Sequence, residues 1–313
     1  MVEEVALREV YGQTLVELGR GNPNIVALDA DVAGSTMTSL FKKTYPDRFV
    51  EVGIAEANMM GIAAGLAANG KIPFASTFAV FATSRCFDQV RVSIALAELN
   101  VKIVATHSGL TVGEDGASHQ SLEDLALMCS LPGFTVIVPA DGTETAQVIR
   151  AVAAHEGPCY VRLIRGKLPQ ICDKDYRFEI GKAYEMRPGK DATIMAIGTM
   201  MAPALEAAAA LAKDNIDCRV LNMASVKPID EAAVIKAAKE TGAIVTAEEH
   251  HEQGGLGSIV ARISAKNFPV PMEMVAVKDT FGESGKPAEL LKKYGLTAEN
   301  IVLAVKKAVS RKK

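Results

Sequence analysis

A chain of 313 residues, 49% apolar and 23% charged, has the make-up of a globular protein long enough for two domains of ordinary size. A net charge of −3 argues against an overall basic field for nucleic acid, and no uninterrupted apolar run reaches the roughly 18 residues of a membrane helix. The opening MVEEVALREV carries no signal-peptide pattern, so cytoplasmic residence is expected. Cys86, Cys129, Cys159, Cys172 and Cys218 are scattered, with neither a CxxC pair nor zinc-type spacing, and read as free thiols.

Helical and extended patterns alternate along the chain, which predicts α/β layers around parallel strands. Residues 4–18 read as a helix with Val5, Val10, Leu15 and Leu18 on one side; NIVALDA at 24–30 reads as a buried strand that delivers Asp29 and Asp31 into a loop. Carboxyl ends of strands are where open α/β sheets bind ligands. A short helix at 36–44, the strand RFVEV and a helix rich in Gly and Ala follow, then a strand and turn in KIPFASTFAVFA and a helix over 85–99. VKIVATH is a strand and 108–118 a glycine-bearing loop; helix 122–129, strand FTVIVPA, helix 143–154 and strand CYVRLIR complete a first domain, residues 1–168. Pro169, Gly181, Pro188 and Gly189 punctuate a charged linker, 169–190. A smaller α/β domain, 191–313, alternates ATIMAIG, CRVLNM, AIVTAEE and MEMVAV with helices at 202–213, 229–240, 257–266, 287–293 and 297–309. Its EEHHEQGGLGS reads as a glycine turn entering a helix, with a role in structure and subunit contact, and the basic KKAVSRKK tail as a solvated helix end.

Three constellations could carry chemistry. Glu56 opens the small-residue helix GIAEANMMGIAAGLA with only Asn58 as a polar near neighbour in sequence. It either decorates a first turn or is a carboxyl group set at a dry interface for proton work. His107 and His119 bracket an 11-residue loop that holds Glu114 and Asp115. That loop is either polar surface or a set of imidazoles and a carboxylate turned into one cleft. Phe78 and Phe81, three apart in a chain with 5% aromatics and no tryptophan, serve either the core or as a platform for a flat heteroaromatic ring. Arg8 and Arg165 are candidate phosphate forks, each also an ordinary surface cation.

GIAEANMMGIAAGLA and THSGLTVGEDGASHQSLEDLA resemble the transketolase family of thiamine diphosphate enzymes, over nearly the whole chain but only along the C-terminal two domains of a full-length transketolase. The resemblance implies a pyrimidine-binding-type parallel sheet followed by a smaller transketolase C-terminal-like domain. It implies that Glu56 activates the cofactor through the pyrimidine nitrogen N1′, that Phe78 and Phe81 stack on its ring, and that Asp31 lies near the thiazolium. It gives His107 and His119 to the donor sugar and its carbonyl, and Asp115 to an acceptor hydroxyl. Arg8, Ser35, His107 and Arg165 go to the substrate phosphate. Ser84, Ser108 and Ala117 stand where the family commonly has tyrosine, aspartate and proline.

The family's diphosphate cradle, a GDG with a downstream asparagine, has no counterpart; GEDG at 113–116 belongs to the sugar loop. The resemblance to split transketolases therefore implies a partner chain that brings this cradle and its Mg2+ (or Ca2+), in an α2β2 assembly, with no metal ligand on this chain. The implied activity is transfer of a two-carbon ketol unit between sugar phosphates. Deoxyxylulose-phosphate synthase and the 2-oxoacid dehydrogenase beta subunit share the glutamate helix. The first normally carries its own diphosphate domain and a different histidine loop, and the second lacks the THSG…GEDG…HQ string. A non-catalytic assembly half is the rival from another class, and it needs none of Glu56, His107, Asp115, His119 or Arg165.

Overall fold

The computed structural model describes residues 3–173 and 175–312. Met1 and Val2 of the opening segment, Lys174 of the expected linker and Lys313 of the basic tail lie outside the described residues.

Residues of the NIVALDA run alternate between two covered faces. Ile25 and Ala27 pack with Leu7, Tyr11 and Leu15 of helix Leu7–Gly21 and with Val148, Ile149 and Val152 of helix Gly142–Ala154. Val26 and Leu28 face the other way, into a core shared with Met59, Met60 and Ala63 of helix Glu56–Ala68. A strand buried on both sides must be apolar throughout, which is why period-two alternation is absent from its sequence. The sheet has seven strands in the order Ser225–Lys227, Thr135–Ile137, Cys159–Arg162, Lys102–Ala105, Ile72–Ser76, Ile25–Asp29 and Phe49–Glu51. Six run parallel, and Ser225–Lys227 is antiparallel to its neighbour. A parallel sheet aligns the carboxyl ends of its strands, so Asp29, Ser76 and Arg162, with the loops after them, open onto one edge.

The second sheet runs Met272–Val277, Ile244–His251, Ala192–Ala196, Cys218–Asn222 and Tyr184–Arg187, the last of these antiparallel. Helices Met201–Lys213 and Ala298–Ser310 cover it with Ala204, Ala207, Leu211, Ile301 and Val305. The expected mixed α/β architecture with parallel sheets is thus present.

Two local expectations change. The irregular stretch after Gly166 contains strands Lys167–Pro169 and Tyr184–Arg187; the first pairs with Glu4–Ala6, residues the sequence placed in a helix. Both strands depend on partners distant in the chain, which local periodicity does not register. The helix expected over 85–99 is instead π-helical at Phe81–Arg85 and Val90–Ala95 around a short Phe87–Gln89 turn. The basic tail is the exposed helix end expected, with anchors the sequence does not show: Arg311 donates to Met272 O at 2.6 Å and pairs with Glu273, and Lys312 donates to Asp191 O.

In the GGLG turn, the buried Glu248 carboxylate accepts from Leu256 N (2.7 Å) and Gly257 N (2.8 Å) and so closes the start of helix Leu256–Asn267. Burial pushes this carboxyl up to about 7 against those bonds. The turn is structural, as its sequence suggested. All five cysteines are free thiols; Cys86, Cys159 and Cys218 are buried.

Candidate active site

Glu56 is the first residue of helix Glu56–Ala68 and is 3% exposed. It lies on the same helical face as Met59, Met60 and Ala63, which the sheet core buries. Asn58, its polar neighbour in sequence, is exposed. The partner it does have was not singled out in the sequence: Arg85 Nη1 donates to Glu56 Oε1 at 2.7 Å. The carboxyl read as standing apart from charge is therefore ion-paired. The same guanidinium lies over the Phe81 ring, 4.1 Å from its centroid. Phenylalanine at 81 and arginine at 85 are spaced for side-by-side contact in a helical turn, a signal that was available.

From Phe81 the rings continue. Phe78 lies nearly parallel to it with centroids 5.9 Å apart, and the His107 imidazole stacks on Phe78 at 3.9 Å and 18°. His119 meets the edges of this stack, 5.2 Å from Phe81 and 6.3 Å from Phe78. The structure thus joins Glu56, Arg85, Phe81, Phe78, His107 and His119 into one continuous group, drawn from the start of one helix, the two ends of one π-turn, the ends of two strands and the turn that closes the glycine-bearing loop.

His107 is held with φ +55°, and its Nδ1 is 2.9 Å from Thr106 Oγ1. Burial, aided by the Arg8 and Arg165 charges, pushes this imidazole down to about 4. A depressed histidine keeps its full contribution to stability above its unfolded value of 6.5 and loses it as pH falls through about 4. The stability of the wild type relative to His107→Gln is expected to fall by about 3 kcal/mol as pH drops from 7 to 4, at about 1.4 kcal/mol per unit. Denaturant titrations of both proteins across that range check this, and an NMR titration of the ring above 6 would contradict it.

The phosphate candidates form a second, adjoining group. Arg8 and Arg165 line one open cavity of about 330 Å³ together with Lys167, a cation that was not singled out, and with the carboxylates of Glu9 and Glu114. Arg8 Nη1 donates to Ser35 O at 3.0 Å, so Ser35 offers its carbonyl to that arginine. Arg165 Nη1 donates to Val112 O at 2.7 Å and lies 3.6 Å from Asp115 and 3.7 Å from Glu114. Asp115 therefore points at an arginine in this state. Asp31 stands apart: it is exposed, has φ +65° and donates its N–H to Glu51 Oε1 at 2.8 Å. Its loop is anchored by the buried Asp29, whose carboxylate accepts from Val32 N, Thr36 Oγ1 and Thr38 Oγ1 at 2.7, 2.6 and 2.9 Å. Burial still leaves that acid raised to about 6.

Ser84 and Ser108, where the family commonly differs, take simple roles: Ser84 Oγ donates to Glu123 Oε1 at 3.1 Å and Ser108 Oγ to Leu163 O at 3.0 Å. Among the described residues, no group of three or more His, Cys, Asp or Glu side chains is placed to hold a metal ion.

A parallel α/β sheet with a buried glutamate, a phenylalanine pair and two histidines at its ligand-binding edge is paired with a second α/β sheet. Two families match this chain: "Transketolase, pyrimidine binding domain" over residues 3–170 and "Transketolase, C-terminal domain" over residues 181–301. The chain belongs to the transketolase family, and its matches cover the pyrimidine-binding and C-terminal domains. It is 45% identical to the "6-deoxy-6-sulfo-D-fructose transketolase subunit" of Clostridium sp., over 99% of this chain and 97% of that one. It is 40% identical to the transketolase of Mus musculus over 99% of this chain but only 50% of that protein. A solved "Split gene transketolase, inactive beta4 tetramer" is 53% identical, with a TM-score of 0.93, covering 99% of this chain and 100% of that one.

The family implies thiamine diphosphate, and the residues present fit one end of it. A buried carboxylate beside a half-buried phenyl face suits a flat, nitrogen-bearing ring, and the Arg85 guanidinium, itself flat and N–H-bearing, already fits between them.

Proposed function

We propose that this chain is the pyrimidine-binding half of a split transketolase that moves a two-carbon ketol unit from a ketose phosphate to an aldose phosphate, working with a partner chain that carries the diphosphate and metal site. The observation that carries this reading is the joined group of Glu56, Phe81, Phe78, His107 and His119 at the carboxyl edge of the parallel sheet. Glu56, His107 and His119 lie in the two strings that resemble the family, the phenylalanine pair is what the resemblance gives to the ring, and a purely structural half would not need them together.

Thiamine diphosphate, when bound, supplies an electron sink for the carbon chain being transferred. The residues of this chain have separable tasks. Glu56 exchanges a proton with the ring nitrogen, which requires Arg85 to release its Oε1. Phe78 and Phe81 fix the plane of the ring and exclude water from one side of it. His119, half-buried and bonded to Ser118 Oγ at 2.9 Å, is free to hold a sugar hydroxyl or carbonyl oxygen. His107, neutral at working pH, offers one donor and one acceptor without adding charge. Arg8 and Arg165, with Lys167 beside them, supply the positive end of the cavity for a phosphate, or another anionic group, on the sugar's tail. A relative named for a sulfo-sugar is compatible with arginines reading a tetrahedral anion more generally.

The partner reading has support in exposed apolar surface. Ile54, just before the Glu56 helix, is 77% exposed, and Val92 of the nearby π-helical segment and Leu96 just after it are 44% and 78% exposed. Gly61 and Gly65 leave open space along the outer face of the Glu56 helix, where another chain can approach closely.

Reconstitution tests the proposal. The chain alone is expected to give no ketol transfer. Mixed with a diphosphate-domain partner, thiamine diphosphate and Mg2+, it should convert xylulose phosphate and an aldose phosphate without decarboxylating pyruvate. A complex that forms and turns over pyruvate, or nothing at all, contradicts it.

A further inference from the structure

The place between the Glu56 carboxylate and the Phe81 ring is filled by this chain's own arginine. The Arg85 guanidinium bonds Glu56 Oε1 at 2.7 Å and lies with its central carbon 4.1 Å from the Phe81 centroid. A ring stacked on Phe81 while engaging the same carboxylate needs the ring face that the guanidinium covers. Both cannot be held together. We infer that Arg85 acts as a built-in occupant of the pyrimidine seat, and that ring entry requires its side chain to swing out into solvent.

This inference rests on the reading of Glu56 and Phe81 as the ring's seat. Two independent features favour a displaceable arginine over a permanent one. Its side chain is 47% exposed while Glu56 is 3% exposed, so the acid is fixed and the arginine has a path away. It also ends a π-helical turn, Phe81–Arg85, whose wide spacing sets residue 85 above residue 81. Such turns are frequent at functional sites. A half-exposed ion pair stacked on one ring is weak enough to open, yet strong enough to lower the fraction of chains whose seat is free. Apparent affinity for the ring falls in proportion to that fraction.

The lone chain can be titrated with the aminopyrimidine alcohol half of thiamine, followed by ligand-observed NMR. Arg85→Ala is expected to bind this probe about tenfold more tightly than the wild type, the size expected if the seat is open in roughly one chain in ten. That gain should vanish in Arg85→Ala with Phe81→Ala. Equal or weaker binding by Arg85→Ala, with binding still lost in Phe81→Ala, overturns the occupant role and leaves the seat in place. Binding indifferent to both Phe81→Ala and Glu56→Gln, or no binding by any variant, removes the seat itself and this inference with it. Thermal unfolding of each variant confirms that a folded chain is being read.

Discussion

Glu56→Gln is expected to lower ketol transfer in the assembled enzyme by about 10²- to 10⁴-fold, the range of a positioned proton donor, with little change in folding. The two side chains have nearly the same shape, so the buried seat between the helix start and the Phe81 ring stays filled. What is lost is the ability to pass a proton to a ring nitrogen. The stability cost is small because Arg85 faces solvent on its far side and, released from its partner, simply hydrates; exposed and half-exposed pairs are worth up to about 1 kcal/mol. A coupled ketol-transfer assay with a melting curve on the same preparation separates the two effects. Turnover within a few-fold of wild type would remove Glu56 from the chemistry.

The largest effect on stability is expected at Asp124, whose side chain is 0% exposed and pairs with Arg162, 3% exposed, at 2.7 Å. Its Oδ2 also accepts from Tyr160 Oη at 2.7 Å. Arg162 reaches beyond this pair: its Nη2 donates to Ser121 O at 3.3 Å and to Glu249 O at 2.9 Å. Glu249 in turn accepts from Thr111 N at 2.6 Å and from Thr199 Oγ1 at 2.7 Å. One buried cluster therefore ties the first sheet, the loop bearing Asp115 and His119, and strand Ile244–His251 of the second sheet. Asp124→Ala leaves the Arg162 charge buried without its partner, which costs about 3–5 kcal/mol and lowers the melting temperature by about 5–8 °C in a chain of this size. The same variant should raise KM for sugar phosphates, because the loop loses an anchor. Asp124→Leu combined with Arg162→Met should recover most of the stability, since a matched apolar pair avoids the desolvation of two charges. A variant that melts like the wild type would show that the cluster carries no net stability.

What the sequence made legible follows from which signals are local. The NIVALDA strand declares itself because a strand covered on both faces is an apolar run, and VKIVATH does so through Ile103, Val104 and Ala105 despite its buried Lys102. Glu56, His107, His119 and the phenylalanine pair were found because each is an unusual residue in its immediate context, and three of these five lie in the two strings that resemble a known family. Arg85 was passed over because an arginine near the start of an apparent helix looks like any surface cation; only the fold shows it reaching Glu56. Lys167 and the strand it begins depend on Glu4–Ala6, more than 160 residues away, and no window of sequence holds both. Asp31 was given to the thiazolium side of the cofactor by resemblance alone; the fold adds that it follows strand Ile25–Asp29, with φ +65° and its N–H bonded to Glu51. The Asp124–Arg162–Glu249 cluster was invisible for the same reason as Lys167: three ordinary charged residues become a unit only when two sheets meet.

The most direct measurement is deuterium exchange at the thiamine C2 position in the assembled complex, stopped by acid and read by NMR, with no sugar present. Wild type should exchange this proton far faster than free thiamine diphosphate, and Glu56→Gln should exchange it at close to the free rate. Equally fast exchange in the two proteins would contradict a proton-transfer role for the buried glutamate, whatever the sugars prove to be.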